Sequence, residues 1–89
     1  MYNFQVGDRL QKILKKLAKK DSLLHERVLK KMKEVVNSFE IEHYKNLQYN
    51  LKDSKRTHVG HFILVFRFEK ENDLVIFDDF DHHDKIYGN

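Results

Sequence analysis

The chain has 89 residues with no cysteine and no proline, so one domain is expected, held without disulfides or a thiolate zinc site. Its longest apolar run, FILVF, is too short to span a membrane, and the N-terminus lacks the layout of a signal peptide. A soluble cytoplasmic protein is the expectation.

The formal net charge of +3 hides an asymmetry: residues 1–56 carry fourteen Lys/Arg against seven Asp/Glu, and residues 57–89 carry three against seven. A basic half suits a polyanion, nucleic acid foremost. Lysines that merely solvate helix faces would leave the same imbalance.

YNFQV (2–6) reads as a short strand, broken at Gly7-Asp8 where a helix N-cap is expected. Leu10, Ile13, Leu14 and Leu17 then recur at the spacing of one helical face, with Lys12, Lys15, Lys16, Lys19 and Lys20 on the remaining positions. KKDS is the turn, with Asp21 or Ser22 able to cap a second helix over 22–38, whose apolar face is Leu24, Val28, Met32, Val35, Val36 and Phe39. So short a connection predicts an antiparallel helical hairpin. After residue 45 the composition turns β-branched and aromatic, and three antiparallel strands are expected at 52–59, 61–69 and 73–80, with a tight turn or bulge at Val59-Gly60. In the middle strand Phe62, Leu64, Phe66 and Phe68 share one face while Ile63 and Val65 take the other, which suits a central strand. The predicted class is α+β: a short strand, a helical hairpin on one sheet face, then a three-stranded antiparallel meander.

Four of the six histidines, His58, His61, His82 and His83, fall in two clusters. If the last two strands pair antiparallel, residues near 61 lie opposite residues near 80, and both clusters reach one end of the sheet. Two imidazoles there could take a proton from one oxygen and give one to another, with no metal or cofactor; on RNA these would be the 2′-hydroxyl and the 5′-oxygen leaving group. Histidine with aspartate is also a ligand set for a divalent metal, although no H-x-x-x-H helix spacing occurs and His82 and His83 would point to opposite sides of a strand. Solvated strand ends without a role are the third possibility. His25 and His43 carry no such pattern.

The element order, the L-x-x-x-L of Leu47 and Leu51, the stretch R-x-H-V-G-x-F-x-L-V-F from Arg56, and the final H-x-x-x-Y of His83 and Tyr87 resemble the RelE/ParE toxin superfamily. Within it the histidine-rich subgroup typified by YafQ is most similar. The resemblance covers essentially the whole chain and implies a single RelE-like domain over 1–89, with the microbial RNase-type fold. It implies a toxin of a type II toxin–antitoxin system that cleaves mRNA, in many members on the translating ribosome, without a cofactor or metal. By the same resemblance His83 is the general acid and His58 or His61 the base or positioning group. Arg56 would stabilise charge on the scissile phosphate, and Tyr87 would contact a base or phosphate. Lys12, Lys15, Lys16, Lys19, Lys30, Lys31, Lys52 and Lys55 would dock ribosomal RNA. A cognate antitoxin would mask the site, the toxin being a monomer when free and part of an oligomer when bound.

Two departures matter. RelE has an arginine where this chain has Ile63 and a basic residue where Asp81 stands, so its arginine-based mechanism cannot operate here. The ParE branch inhibits gyrase and lacks the nuclease residues, which keeps a non-catalytic inhibitor open as an alternative. Asp78, Asp79, Asp81 and Asp84, beside the expected site, would repel phosphate unless they serve to orient the histidines.

Overall fold

The computed structural model describes residues 1–45 and 54–87. Strand β1 (Asn3–Val6) leads into helices α1 (Asp8–Lys20) and α2 (Ser22–Val36). Strands β2 (Ser54–Val59), β3 (Phe62–Glu69) and β4 (Leu74–His82) follow, and a five-residue helix α3 (His83–Tyr87) closes the described chain.

Gly7 ends β1 by donating its N–H to Phe77 O at 2.8 Å and opens α1 by accepting from Gln11 N at 2.9 Å. Asp8 in the first turn of α1 and Lys19 and Lys20 in its last turn oppose the helix dipole. Of the two capping residues expected in KKDS, Asp21 does the work: its Oδ1 accepts from Leu24 N at 3.1 Å. Helix α2 stops at Val36, two residues short of the expected end, because the Asn37 side chain donates to Lys33 O at 2.9 Å and closes the last turn. Phe39 is therefore not part of the apolar helix face and stands fully exposed.

The sheet order is β1-β4-β3-β2. The meander β2-β3-β4 is antiparallel, as expected, but β1 joins the edge of β4 in parallel, which makes the sheet mixed. One face packs on the helical hairpin: Leu10, Val28, Met32 and Val35 meet Leu64, Phe66, Val75 and Phe77 in the core. On the other face Ile63 and Val65 are buried beneath Ile86 and Tyr87 of α3. Both sides of β3 are thus covered, which is why its sequence is continuously apolar. The last strand, expected to end at residue 80, is longer: β4 runs on to His82 and turns directly into α3. Five residues are too few for a helical period to show in a sequence.

A bulge sets the register at the far end of β4. Val65 pairs with Asp79 but Phe66 pairs with Phe77, so Asp78 is an extra residue on β4. Phe77 and Phe80, an odd number of residues apart, can then both enter the helix-side core. The same shift brings His82 opposite Phe62.

Candidate active site

Gly60, with φ +61°, makes the β2–β3 turn. His58 lies near the end of β2 and His61 in the turn, because β3 starts at Phe62, one residue later than the sequence predicts. The His83 N–H donates to His61 O at 2.9 Å, so the turn and the β4–α3 junction are joined through the backbone. The four histidines accordingly gather at one end of the sheet, in two separate pairs.

In the first pair His58 and His83 are nearly parallel, with centroids 6.2 Å apart and planes at 23°. Tyr87 stands edge-on to His83, at 4.8 Å between centroids. The Arg56 guanidinium carbon lies 5.3 Å from the centre of the Tyr87 ring, a cation–π distance. Arg56 and His58 are two apart on β2 and pair across from Val65 and Ile63, so they share the face covered by α3. Among the described residues, Arg56 Nε and the Tyr87 hydroxyl are buried with no hydrogen-bond partner. Four of the five expected site residues, His83, His58, Arg56 and Tyr87, thus form one cluster.

The fifth, His61, belongs to the other pair. It stacks with His82 at 6.4 Å and 21°, and His82 is edge-on to Phe62 at 5.5 Å, whose ring packs with the helix-side core. His82 and His83 do point to opposite sides, as alternation along a strand requires.

The acidic cluster is largely answered by arginines that sequence reasoning did not single out. Arg67 grips Asp78 through two hydrogen bonds, 2.7 Å from Nε and 3.1 Å from Nη2. Arg9 Nε donates to Asp79 Oδ1 at 3.0 Å. These hydrogen bonds, with the carboxylate charge, hold both guanidinium groups above their ordinary pKa. Asp79 and Asp81 also accept from the N–H groups of Phe80 and His82. Asp84 approaches both His82 and His83, at 3.7 and 3.6 Å. Among the described residues no three His, Asp or Glu side chains converge as a metal-holding set.

The lysines divide. Lys12, Lys15, Lys16, Lys19 and Lys30 are exposed on the helices, whereas Lys31 reaches Glu34 at 2.8 Å. Lys55 points to the helix side of β2, with its ammonium 3.2 Å from Tyr44 O and 3.4 Å from Glu42 O. That position is on the opposite face from Arg56 and His58, so its expected RNA contact is not part of this cluster. Lys52, like Leu47 and Leu51, lies outside the described residues.

Residues 5–87 match the family model described as the ParE toxin of the type II toxin–antitoxin system parDE. The chain belongs to the RelE/ParE toxin superfamily. A Methanocaldococcus jannaschii protein that carries the toxin name RelE4 is 47% identical over 98% of this chain and 92% of its own length. The fold of this RelE/ParE member is similar to RelE structures from Escherichia coli. In the intact RelBE toxin–antitoxin complex the matching chain has a TM-score of 0.73 at 24% identity, covering 92% of this chain and 96% of that one. For the isolated RelE toxin the TM-score is 0.67 at 23% identity, covering 92% and 84%. Among the described residues no helix is long and apolar enough to cross a membrane.

Proposed function

We propose that this RelE/ParE-superfamily toxin is a metal-independent endoribonuclease that cleaves mRNA, working as one domain over 1–89 in the cytoplasm. The observation that carries the reading is the His58–His83 pair with Arg56 and Tyr87 beside it. At 6.2 Å the two imidazoles are too far apart to bond each other. With the ring centres that far apart, the reading has one phosphodiester held between the two imidazoles, in reach of both. His58, as the neutral base, takes the 2′-hydroxyl proton while that oxygen attacks phosphorus. The bond to the 5′-oxygen breaks, and His83 as imidazolium protonates the leaving oxygen. The products are a 2′,3′-cyclic phosphate and a 5′-hydroxyl. Arg56, on the same face of β2 as His58, is the proposed source of positive charge for the phosphorane-like transition state. In this reading Tyr87 is the aromatic contact to a base. Of the two histidines weighed as the base, His58 is preferred because His61 turns toward His82.

Ribosome-bound mRNA is the proposed substrate, with the α1 lysines docking ribosomal RNA, and a cognate antitoxin is the proposed protein partner. Support for the partner is the likeness of this fold to a chain of the intact RelBE toxin–antitoxin complex. The test is induced expression of the wild type and of His83→Ala, with primer extension on a reporter mRNA. Growth arrest with new 5′ ends for the wild type, and neither for the variant, is expected. Arrest by both without cleavage would replace the nuclease with a gyrase-inhibitor type of toxin, the second reading, which the ParE identity of the matching family model favours.

A further inference from the structure

We propose that His82 is a positioning residue: its neutral imidazole caps α3, the helix that carries His83 and Tyr87, and protonation of that imidazole uncaps it. The cap stands on the geometry of α3, and only its effect on cleavage rests on the nuclease reading.

Five residues make a helix too short to hold itself in water, so its first N–H groups need partners from outside. His83 N–H donates to His61 O at 2.9 Å, and Asp84 N–H donates to His82 Nδ1 at 3.2 Å. His82 ends β4, immediately before α3. Its ring nitrogen therefore stands where the side-chain oxygen of Ser, Asp or Asn ordinarily caps the second or third helical residue. A ring nitrogen that accepts a hydrogen bond carries no proton, so the capping imidazole is neutral with its hydrogen on Nε2.

The same ring has a second contact with the same residue. The Asp84 carboxylate lies 3.7 Å from His82 Nδ1. Once Nδ1 takes a proton it is a donor; it can no longer accept from Asp84 N–H and can bond only the carboxylate. Cap and ion pair thus exclude each other, and imidazole is the side chain that titrates near neutrality. Phe62, edge-on at 5.5 Å, and His61, stacked at 6.4 Å, flank the ring. The other ionisable groups around it come from every neighbouring element. Asp81 on β4 accepts from His82 N–H at 2.7 Å, and His83 on α3 shares Asp84 at 3.6 Å. Arg27 of α2 lies over Gly60, beside His61, and Arg9 and Lys12 of α1 border the helix-side groove that Phe62 lines.

Helix α3 sets His83 6.2 Å from His58 and Tyr87 4.8 Å from His83. Fraying of its first turn displaces His83 and Tyr87 together, while His58 and Arg56 keep their places on β2. Cleavage then falls at acid pH for a reason separate from the protonation of the base.

The experiment records long-range proton–nitrogen spectra of the imidazoles and exchange protection of the α3 amides from about pH 8 to about pH 5. It compares purified wild type with His82→Asn, which caps without titrating, and His82→Ala, which cannot cap. In the wild type at the alkaline end the His82 proton should be on Nε2. The Asp84 amide should shift with the His82 titration, and α3 protection should fall with it. His82→Asn should keep that protection throughout, and His82→Ala should lack it throughout. On RNA at the alkaline end, His82→Asn should keep kcat within about twofold, and His82→Ala should lower kcat about fivefold with KM little changed, the fold-change of a typical lost cap. A proton on His82 Nδ1 at the alkaline end, an Asp84 amide indifferent to the His82 titration, or wild-type α3 protection in His82→Ala would each overturn the cap. Titration-linked fraying in a wild type that cleaves no RNA would keep the cap and overturn the nuclease. Wild-type kcat in His82→Ala despite a frayed α3 would overturn the positioning role.

Discussion

The backbone N–H of His83 donates to the carbonyl of His61 at 2.9 Å. This hydrogen bond joins the β2–β3 turn to the start of α3, and with it the two stretches that carry the histidines. The pairing of His58 with His83 therefore depends on the turn keeping its shape.

Gly60 holds that shape, and Gly60→Ala should disturb it. A Cβ would meet the Arg27 guanidinium at an ordinary 3.5 Å, so space is not the obstacle; the backbone at φ +61° is. An L residue there costs about 1 kcal/mol. Urea unfolding should show a lower midpoint with an unchanged slope, and RNA cleavage should fall along with the stability.

Tyr87 has two roles that substitution can separate. Its ring covers Ile63 and Val65, while its buried hydroxyl has no partner among the described residues. Tyr87→Phe should leave thermal stability within about 0.5 kcal/mol of the wild type, whereas Tyr87→Ala should lose roughly 1–2 kcal/mol. If Tyr87→Phe loses stability as Tyr87→Ala does, the hydroxyl is bonded in solution. If the ring stacks on substrate, Tyr87→Phe retains most cleavage and Tyr87→Ala does not.

The bulge at Asp78 is latched by Arg67. Because both groups keep substantial solvent contact, a double-mutant cycle of Arg67→Ala with Asp78→Ala should give a coupling of only about 0.5–1 kcal/mol. Added salt should reduce it. The raised pKa of Arg67 means that this arginine contributes fully below its unfolded pKa and loses its contribution only as pH rises through the higher folded value. No change in the Arg67 charge is therefore expected across the neutral range, and a loss of coupling between pH 6 and 9 would contradict the assignment.

Salt should also weaken RNA binding. For single strands the logarithm of affinity is expected to fall by about 0.7 per phosphate neutralised for each tenfold rise in salt. Replacing Lys15, Lys16 and Lys19 by glutamine should make that slope shallower. A slope unchanged by these substitutions would show that the α1 lysines do not reach RNA.

Cleavage should survive treatment of the toxin alone with an excess of chelator, removed before ribosomes are added. Activity lost by that treatment and restored only by a transition-metal cation given back to the toxin would overturn acid–base catalysis by His58 and His83 alone.

Much of the fold is local, and for that reason it was legible. The Leu10–Leu17 and Leu24–Val36 spacings report helix faces, Asp21 is a cap by its chemistry, and the two apolar faces of β3 follow from strand alternation. The motif from Arg56 to Phe66 and the final His83 and Tyr87 carried the superfamily resemblance. Hidden from that reading were contacts between residues far apart in the chain. The parallel docking of β1 on β4, the extra residue at Asp78, and the neutralising of Asp78 and Asp79 by Arg67 and Arg9 are of this kind.

The sequence by itself determined the helical hairpin, the strands, the superfamily and the meeting of two histidine clusters at one end of a sheet, because each follows from periodicity, turn chemistry or short motifs. Tertiary structure alone decided which histidines share a face. One bulge on β4 sets the parity of every residue after it, placing His82 with His61 above the helix-side groove and His83 with His58, Arg56 and Tyr87 on the opposite side.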